Sequence, residues 1–180
     1  MTAIRITLAS ALASLLVAFP LHAQDKAAKK DAAGFSKQDQ QALTRLAQAD
    51  MAEIAAGKLA QQKAASPEVK KYGEHMVQEH TKMLQDGSQL AQRKGVTPPK
   101  ETDNKHQAAM KKLEGLSGEE FDRQYMAQMV KDHEEVLQLA ERTAKGTKDA
   151  ELKAHLEKGA PHVKEHLERA RKIKASLGKK

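Results

Sequence analysis

Apolar side chains recur three and four positions apart over most of the chain, which is the spacing of helices that bury one face. The pattern predicts four long helices, over residues 36–64, 66–94, 117–145 and 148–177. Serine precedes the first three, and Ser36, Ser66 and Ser117 are therefore candidate N-caps. Four long amphipathic helices predict an all-α fold, a four-helix bundle over residues 36–177.

The connection between the second and third long helices is the longest in the predicted bundle. Residues 95–117 contain Pro98-Pro99 and room for a short helix, and they can carry the chain back along the bundle. An internal repeat supports this crossover, because the same residue types recur at the same spacing in both helices. Tyr72, Met76, Glu79 and His80 match Tyr125, Met129, Asp132 and His133. The second and third helices are therefore predicted to run parallel, with their histidines at a common level.

Histidines lie in the middle of the apolar stripes of three predicted helices, and the stripe of the first helix contains a carboxylate. The candidate cluster consists of Asp50 or Glu53, with His80, His133, and His162 or His166. Nitrogen and carboxylate ligands without sulfur suit Zn, Fe, Cu, Ni or Mn. The alternative is that the carboxylates and histidines pair directly, which also offsets the cost of burying them without a metal.

Other polar residues near these stripes are expected to face water. Tyr72 and Tyr125 flank the stripes, where their hydroxyls would be hydrated. His75 and Glu79 lie off the stripe, four positions apart, and are expected to form a solvated pair. His106 falls in the crossover and is expected at the surface.

The first 23 residues have the layout of a secretory signal peptide. Arg5 precedes a short apolar stretch, and Ala23 offers a small residue for cleavage. The mature chain is then expected to begin at Gln24, with residues 24–35 as a flexible leader and the bacterial periplasm as its compartment. The alternative is an uncleaved N-terminal anchor. No later stretch of the sequence approaches a membrane-spanning length.

Composition narrows the chemistry further. The chain of 180 residues has no Cys, which excludes disulfides, thiolate metal ligands and thiol nucleophiles.

Lys and Arg number 31 against 24 Asp and Glu, and much of this excess of basic residues lies near the C-terminus. The basic surface there is predicted to comprise Lys164, Arg169, Arg171, Lys172 and Lys174. It predicts contact with an anionic envelope surface, and the alternative is a solubilising role at a helix end. Nucleic-acid binding is not expected, because this segment has no aromatic residue.

Several short motifs carry a resemblance to a known family. They are Glu53-x3-Gly57-Lys58-Leu59-Ala60, Met76-Val77-x-Glu79-His80-Thr81-Lys82, Phe121-Asp122-x2-Tyr125 with Asp132-His133, and Pro161-x4-His166-Leu167. On these residues the chain, from about Phe35 to Leu177, resembles the bacterial family of exported domains of unknown function numbered 4142, whose members are often labelled outer membrane proteins. The resemblance implies a ferritin-like four-helix bundle in the periplasm or envelope, with no established reaction.

The resemblance also implies which positions form the polar core. The family's polar core positions match Glu53, His80, His133 and His166. Counting levels along the predicted helices favours Asp50 and His162 instead, so both alternatives stay open. This sequence has Glu79 where the family usually has Asp before the histidine.

The expected function is transition-metal binding in the envelope, with a role in metal or stress handling. The alternative is a structural or interaction protein without metal, which uses its basic C-terminal helix. A metal-dependent oxidase is a weaker third interpretation, because the chain lacks a Glu-x-x-His motif on two helices. The sequence also lacks a phosphate-binding loop and a Ser/His/Asp arrangement, so no reaction is assigned and an enzyme is not expected. The sequence indicates no particular oligomeric state.

Overall fold

The protein is all-α in the computed structural model, which describes residues 34–178. Within that range the helices are α1 Lys37–Lys63, α2 Pro67–Arg93, α3 Asn104–Glu114, α4 Gly118–Gly146 and α5 Ala150–Leu177. The four long helices follow the predicted bounds closely, and α3 occupies the crossover. The predicted signal peptide and nearly all of the predicted leader lie outside the described residues. None of the described helices is long and apolar enough to span a membrane.

The long helices form a bundle in which consecutive neighbours pack in pairs. The α1 helix packs along α2, and α4 packs along α5, while further contacts join α1 to α4 and α2 to α5. The crossover helix α3 lies against α1 and α4. This arrangement surrounds one central axis, toward which the apolar stripes of all four long helices are directed.

The second and third long helices run parallel, as the repeat predicts. The rings of Tyr72 on α2 and Tyr125 on α4 have their centroids 6.2 Å apart. Further along the same two helices, the rings of His80 and His133 are 5.5 Å apart. Because both pairs are close and occur in the same order, the two helices have the same direction and equivalent residues share a level.

A layer of buried polar side chains, here called the polar layer, separates two apolar clusters along the bundle. It contains Glu53, His80, Asp132, His133 and His166. On α2, Met76 belongs to one cluster and Leu90 to the other, and His80 lies between them. On α4, Met129 and Ala140 belong to the same two clusters. The histidines are therefore held at mid-height by packed apolar side chains above and below.

The starts of the helices differ in how their backbone N–H groups are satisfied. At α1 the predicted capping box is present, because the side chains of Ser36 and Asp39 each accept from the other's backbone N–H. Ser66 and Ser117 are the N-cap residues of α2 and α4, as predicted, but their side chains make no cap hydrogen bond. The carboxylate of Asp122 on α4 instead accepts from the backbone N–H of Ser66 at 2.8 Å. A tertiary contact thus satisfies the N–H of the N-cap residue.

The α1 and α2 helices approach each other closely at two glycines. A Cβ added at Gly57 would lie 2.6 Å from the carbonyl oxygen of Gly73, and one at Gly73 would lie 2.8 Å from the Cβ of Ala60. Both distances are too short for a side chain. This close approach lies one turn from Glu53 and positions that carboxylate within the polar layer.

Candidate metal centre

Three buried histidines from three helices meet in the polar layer. His80 on α2, His133 on α4 and His166 on α5 have at most 3% of their surface exposed. Their ring centroids lie between 5.3 and 5.5 Å from one another. One ring nitrogen from each residue can be chosen so that all three lie within 4.8 Å of one another.

Hydrogen bonds orient two of the three rings. Nδ1 of His133 donates to the carbonyl oxygen of Met129 at 2.8 Å, and a carbonyl can only accept, so the other ring nitrogen of neutral His133 carries a lone pair. Nδ1 of His80 lies 2.8 Å from Oδ1 of Asp50, and donation to that carboxylate leaves Nε2 of His80 with a lone pair too. Nε2 of both residues and Nδ1 of His166 are buried without a hydrogen-bond partner among the described residues.

Burial also fixes the charge state of the rings. Removal from water, with the charge of His80 acting in the same direction, lowers the pKa of His133 to about 3. Burial is likewise the main cause that holds the pKa of His166 well below its ordinary value, with the neighbouring histidines adding to it. Both rings are therefore neutral near pH 7, and neutral imidazole is the form that binds metal ions.

Two carboxylates of α1 flank the histidines. Glu53 is buried, with Oε1 3.5 Å from Nδ1 of His133 and Oε2 without a partner among the described residues. Burial raises the pKa of Glu53 well above its ordinary value, and the charges of Asp132 and Asp50 raise it further. Burial also raises the pKa of Asp50, although its bond to His80 acts in the opposite direction. A cation in the layer would favour the ionised form of both carboxylates.

The structure places the alternative ligands, which the sequence left open, in different surroundings. Asp50 and Glu53 both reach the layer, and they lie against His80 and His133 respectively. On α5 the structure places His166 in the cluster. The side chain of His162 is 52% exposed, and its Nδ1 lies 3.4 Å from a carboxylate oxygen of Glu79.

The two tyrosines are buried, so the prediction of hydrated hydroxyls is wrong. The hydroxyl of Tyr72 donates to the carbonyl oxygen of His166 at 3.3 Å. The hydroxyl of Tyr125 has no partner among the described residues, and its ring stacks on Phe121 at 5.6 Å between centroids. A helical wheel gives the angle of a side chain about its own helix, but the depth at which it lies depends on the neighbouring helices.

The expectations for the remaining histidines also require correction. His75 does not form a solvated pair with Glu79, because its ring lies edge-on to that of His166 with 5.3 Å between centroids. Glu79 faces His162 on α5 instead. His106 is half-buried at the start of α3 and is hydrogen-bonded there, not free at the surface.

Asp132 belongs to the polar layer but is not among the predicted site residues. It is buried, accepts a 2.7 Å hydrogen bond from Gln128, and lies 3.8 Å from the ammonium group of Lys105. Its charge contributes to the raised pKa of Glu53. The signal for Asp132 is present in the repeat, where it is the acidic residue directly before His133.

The basic surface predicted on α5 is partly engaged in contacts within the chain. The guanidinium of Arg169 lies over the ring of Tyr72, 5.6 Å from its centroid. Arg171 forms a 2.6 Å ion pair with Glu134. Three of the predicted side chains have neither contact and are exposed: Lys164, Lys172 and Lys174.

Comparisons with known proteins identify a family and a shared fold. The family model described as "Domain of unknown function (DUF4142)" matches residues 24–173. No curated protein sequence matches the chain. The crystal structure of a DUF305 fragment from Deinococcus radiodurans is similar, with a TM-score of 0.69 and 13% sequence identity over 82% of this chain and 99% of that chain. At this identity the likeness shows that the helical fold is shared.

Proposed function

We propose that this chain, which belongs to the DUF4142 family, binds a transition-metal ion through His80, His133 and His166. The proposal is carried by three buried histidines that offer one ring nitrogen each within 4.8 Å of one another, and each of them has a buried ring nitrogen without a hydrogen-bond partner among the described residues. Leaving such an atom unpaired costs roughly 1–3 kcal/mol. A metal ion that accepts all three lone pairs would offset that cost at once.

The ligand atoms limit which metal ions the site would bind. Three neutral imidazole nitrogens suit Zn, Cu, Ni or Fe better than the hard cations Mg and Ca. In a tetrahedral zinc site with bonds of about 2.0–2.1 Å, the nitrogens would lie about 3.4 Å apart. The ring nitrogens of the three histidines lie up to 4.8 Å apart, so rotation of the side chains would draw them together on binding.

The residues around the histidines fit a supporting role. Asp50 and the carbonyl of Met129 hold the Nδ1 atoms of His80 and His133, which is the arrangement that orients metal-binding imidazoles. Glu53 has a buried, unpartnered carboxylate oxygen beside His133. We assign it as a further ligand or as the group that balances the charge of the ion.

We further propose, on the sequence alone, that the protein acts in the periplasm in envelope metal or stress handling. The support is the signal-peptide layout of residues 1–23. The mass of the exported protein should correspond to a chain that begins at Gln24. A mass that retains Met1 would refute this localisation.

Melting of metal-stripped, untagged protein tests the metal proposal. An ion present at 100 times its dissociation constant, if it binds only the folded state, adds about 2.7 kcal/mol of stability. We expect such an increment, and a higher melting temperature, with at least one of Zn, Cu, Ni, Mn and Fe. His80→Ala, His133→Ala and His166→Ala should each abolish it. His106→Ala and His162→Ala are matched controls that should retain it, because both residues lie outside the cluster.

The same measurement distinguishes the alternative of a metal-free structural or interaction protein. In that case none of the five ions changes the melting temperature, while His80→Ala and His133→Ala still lower metal-free stability, by about 1–3 kcal/mol. The exposed lysines of α5, Lys164, Lys172 and Lys174, would then be the part of the chain that contacts an anionic envelope surface.

A further inference from the structure

A second feature, adjacent to the histidine cluster and sharing Asp50 with it, is a cavity of about 200 Å³ between the long helices. Contributions come from all four long helices, and none of the three clustered histidines lines it. Its walls are largely apolar and include Leu46, Met83, Val136, Leu156 and Val163. Several of these side chains are only partly buried, so the cavity leaves apolar surface that an occupant could cover.

The ionisable groups of the cavity are graded by depth. Asp50 is the deepest of the ion-paired side chains that line the cavity, with 16% of its side chain exposed. At the rim, Lys82 pairs with Asp86 at 3.6 Å, and Glu79 faces His162. These two pairs lie at the rim, where the exposed Lys158 also contributes an ammonium group. Asp50 presents the deeper carboxylate, of which Oδ1 lies against His80.

His155 lines the same cavity and interacts electrostatically with Asp50. Burial lowers the pKa of His155, so its imidazole is neutral near pH 7. The inner part of the cavity thus combines one carboxylate with one neutral hydrogen-bonding ring. This combination favours a cationic head group over an anionic one.

Two glycines in mid-helix border this region without a packing requirement. A Cβ at Gly159 would lie 3.7 Å from Cε of Met83, and a Cβ at Gly87 would lie 3.7 Å from Nε2 of His155. Both are ordinary contact distances, in contrast to the short distances at Gly57. Glycine within a helix costs about 1 kcal/mol relative to alanine, so space at the cavity is retained at some expense in stability.

We propose that this cavity binds a small organic cation, a primary alkylammonium whose charged group lies at Asp50 and whose chain lies against the apolar walls. An engineered apolar cavity of about 150 Å³ holds benzene, so this volume accommodates about six to eight non-hydrogen atoms. The proposal does not rest on metal binding. Because Asp50 also holds His80, an occupant would touch a residue that orients the histidine cluster.

Titration of metal-stripped mature protein with three probes at pH 7 tests the proposal. The probes are n-pentylamine, 1-pentanol and pentanoate, which share a chain length and differ in charge. We expect the amine to bind at least tenfold more tightly than the alcohol and the acid, by calorimetry or by NMR shifts of the Met83 methyl group. Asp50→Asn, which can still accept a hydrogen bond from His80, should remove the preference for the amine and leave binding of the alcohol.

A steric variant tests the location. Gly159→Leu should weaken amine binding more than tenfold by filling the cavity, and leucine is a better helix former than glycine, so the fold should persist. Gly146→Leu is the matched control, because a Cβ there meets nothing within 4 Å. Equal affinity for the three probes, tighter binding of pentanoate, or amine binding unchanged in Gly159→Leu would each overturn the proposal. The proposal would also be overturned if the wild-type protein did not bind the amine and Gly159→Leu took up zinc more slowly. That result would identify the cavity as an access route for ions.

Discussion

Single side chains in the polar layer show what a helical pattern can and cannot predict. The apolar stripes place His80 and His133 at the bundle axis, and they lie there. The choice between Asp50 and Glu53 could not be made, because it depends on how far α1 is shifted along its neighbours. The structure uses both, since residues one turn apart reach two different histidines.

The shifted pKa of His133 predicts a pH dependence of stability. This pKa is about 3 in the folded state and about 6.5 in the unfolded chain, so the unfolded state binds one more proton between those values. The titration of His133 should therefore lower the free energy of unfolding by about 1.4 kcal/mol for each pH unit between about 6.5 and 3. Above pH 6.5 this contribution is constant. His133→Gln should lack it.

Urea denaturation of metal-stripped protein between pH 6 and 4 measures this difference. The wild-type curve of stability against pH should be steeper than that of His133→Gln by about one proton. Glu53, whose raised pKa acts in the opposite direction, is present in both proteins, and its contribution largely cancels in the comparison. Parallel curves for the two proteins would show that His133 titrates normally and is not buried as described.

At the scale of helices, the sequence predicts which segments are helical and how long they are. It predicts less well which groups satisfy the backbone at the helix ends. Ser36 and Asp39 form a local motif, and the predicted cap is present. Ser66 is the N-cap of α2, as predicted, but its side chain makes no cap bond and its backbone N–H donates to Asp122 of α4. A residue distant in sequence supplies the acceptor, and no local pattern can reveal that.

The contact between α1 and α2 gives a prediction about packing. Gly57→Ala should lower the free energy of unfolding by about 1–2 kcal/mol, because its Cβ would clash with backbone and the overpacking exceeds the gain in helix propensity. Gly159→Ala, a glycine-to-alanine change with space around it, should raise stability by up to about 1 kcal/mol. Chemical denaturation measures both. If the two variants changed stability equally, the close approach at Gly57 would be wrong.

For the whole molecule, the topology could be predicted from the sequence, but the cavities could not. The repeated tyrosine and histidine spacing in α2 and α4, with the long crossover, is sufficient to predict parallel helices. The cavity beside Asp50 could not be predicted, because its volume depends on small displacements between helices that leave the apolar pattern unchanged. The same applies to Arg169 and Arg171, which the sequence assigns to a basic surface and which the fold engages with Tyr72 and Glu134.

X-ray absorption spectroscopy at the zinc edge, on protein loaded with one equivalent of zinc, tests the metal centre most directly. The predicted spectrum has three imidazole nitrogens at about 2.0–2.1 Å, with the outer-shell scattering of histidine rings. His133→Ala should lose one of these rings, and the His162→Ala control should keep all three. A first shell of oxygen atoms alone, or a spectrum unchanged in a variant that lacks His80, His133 and His166, would contradict metal binding at this cluster.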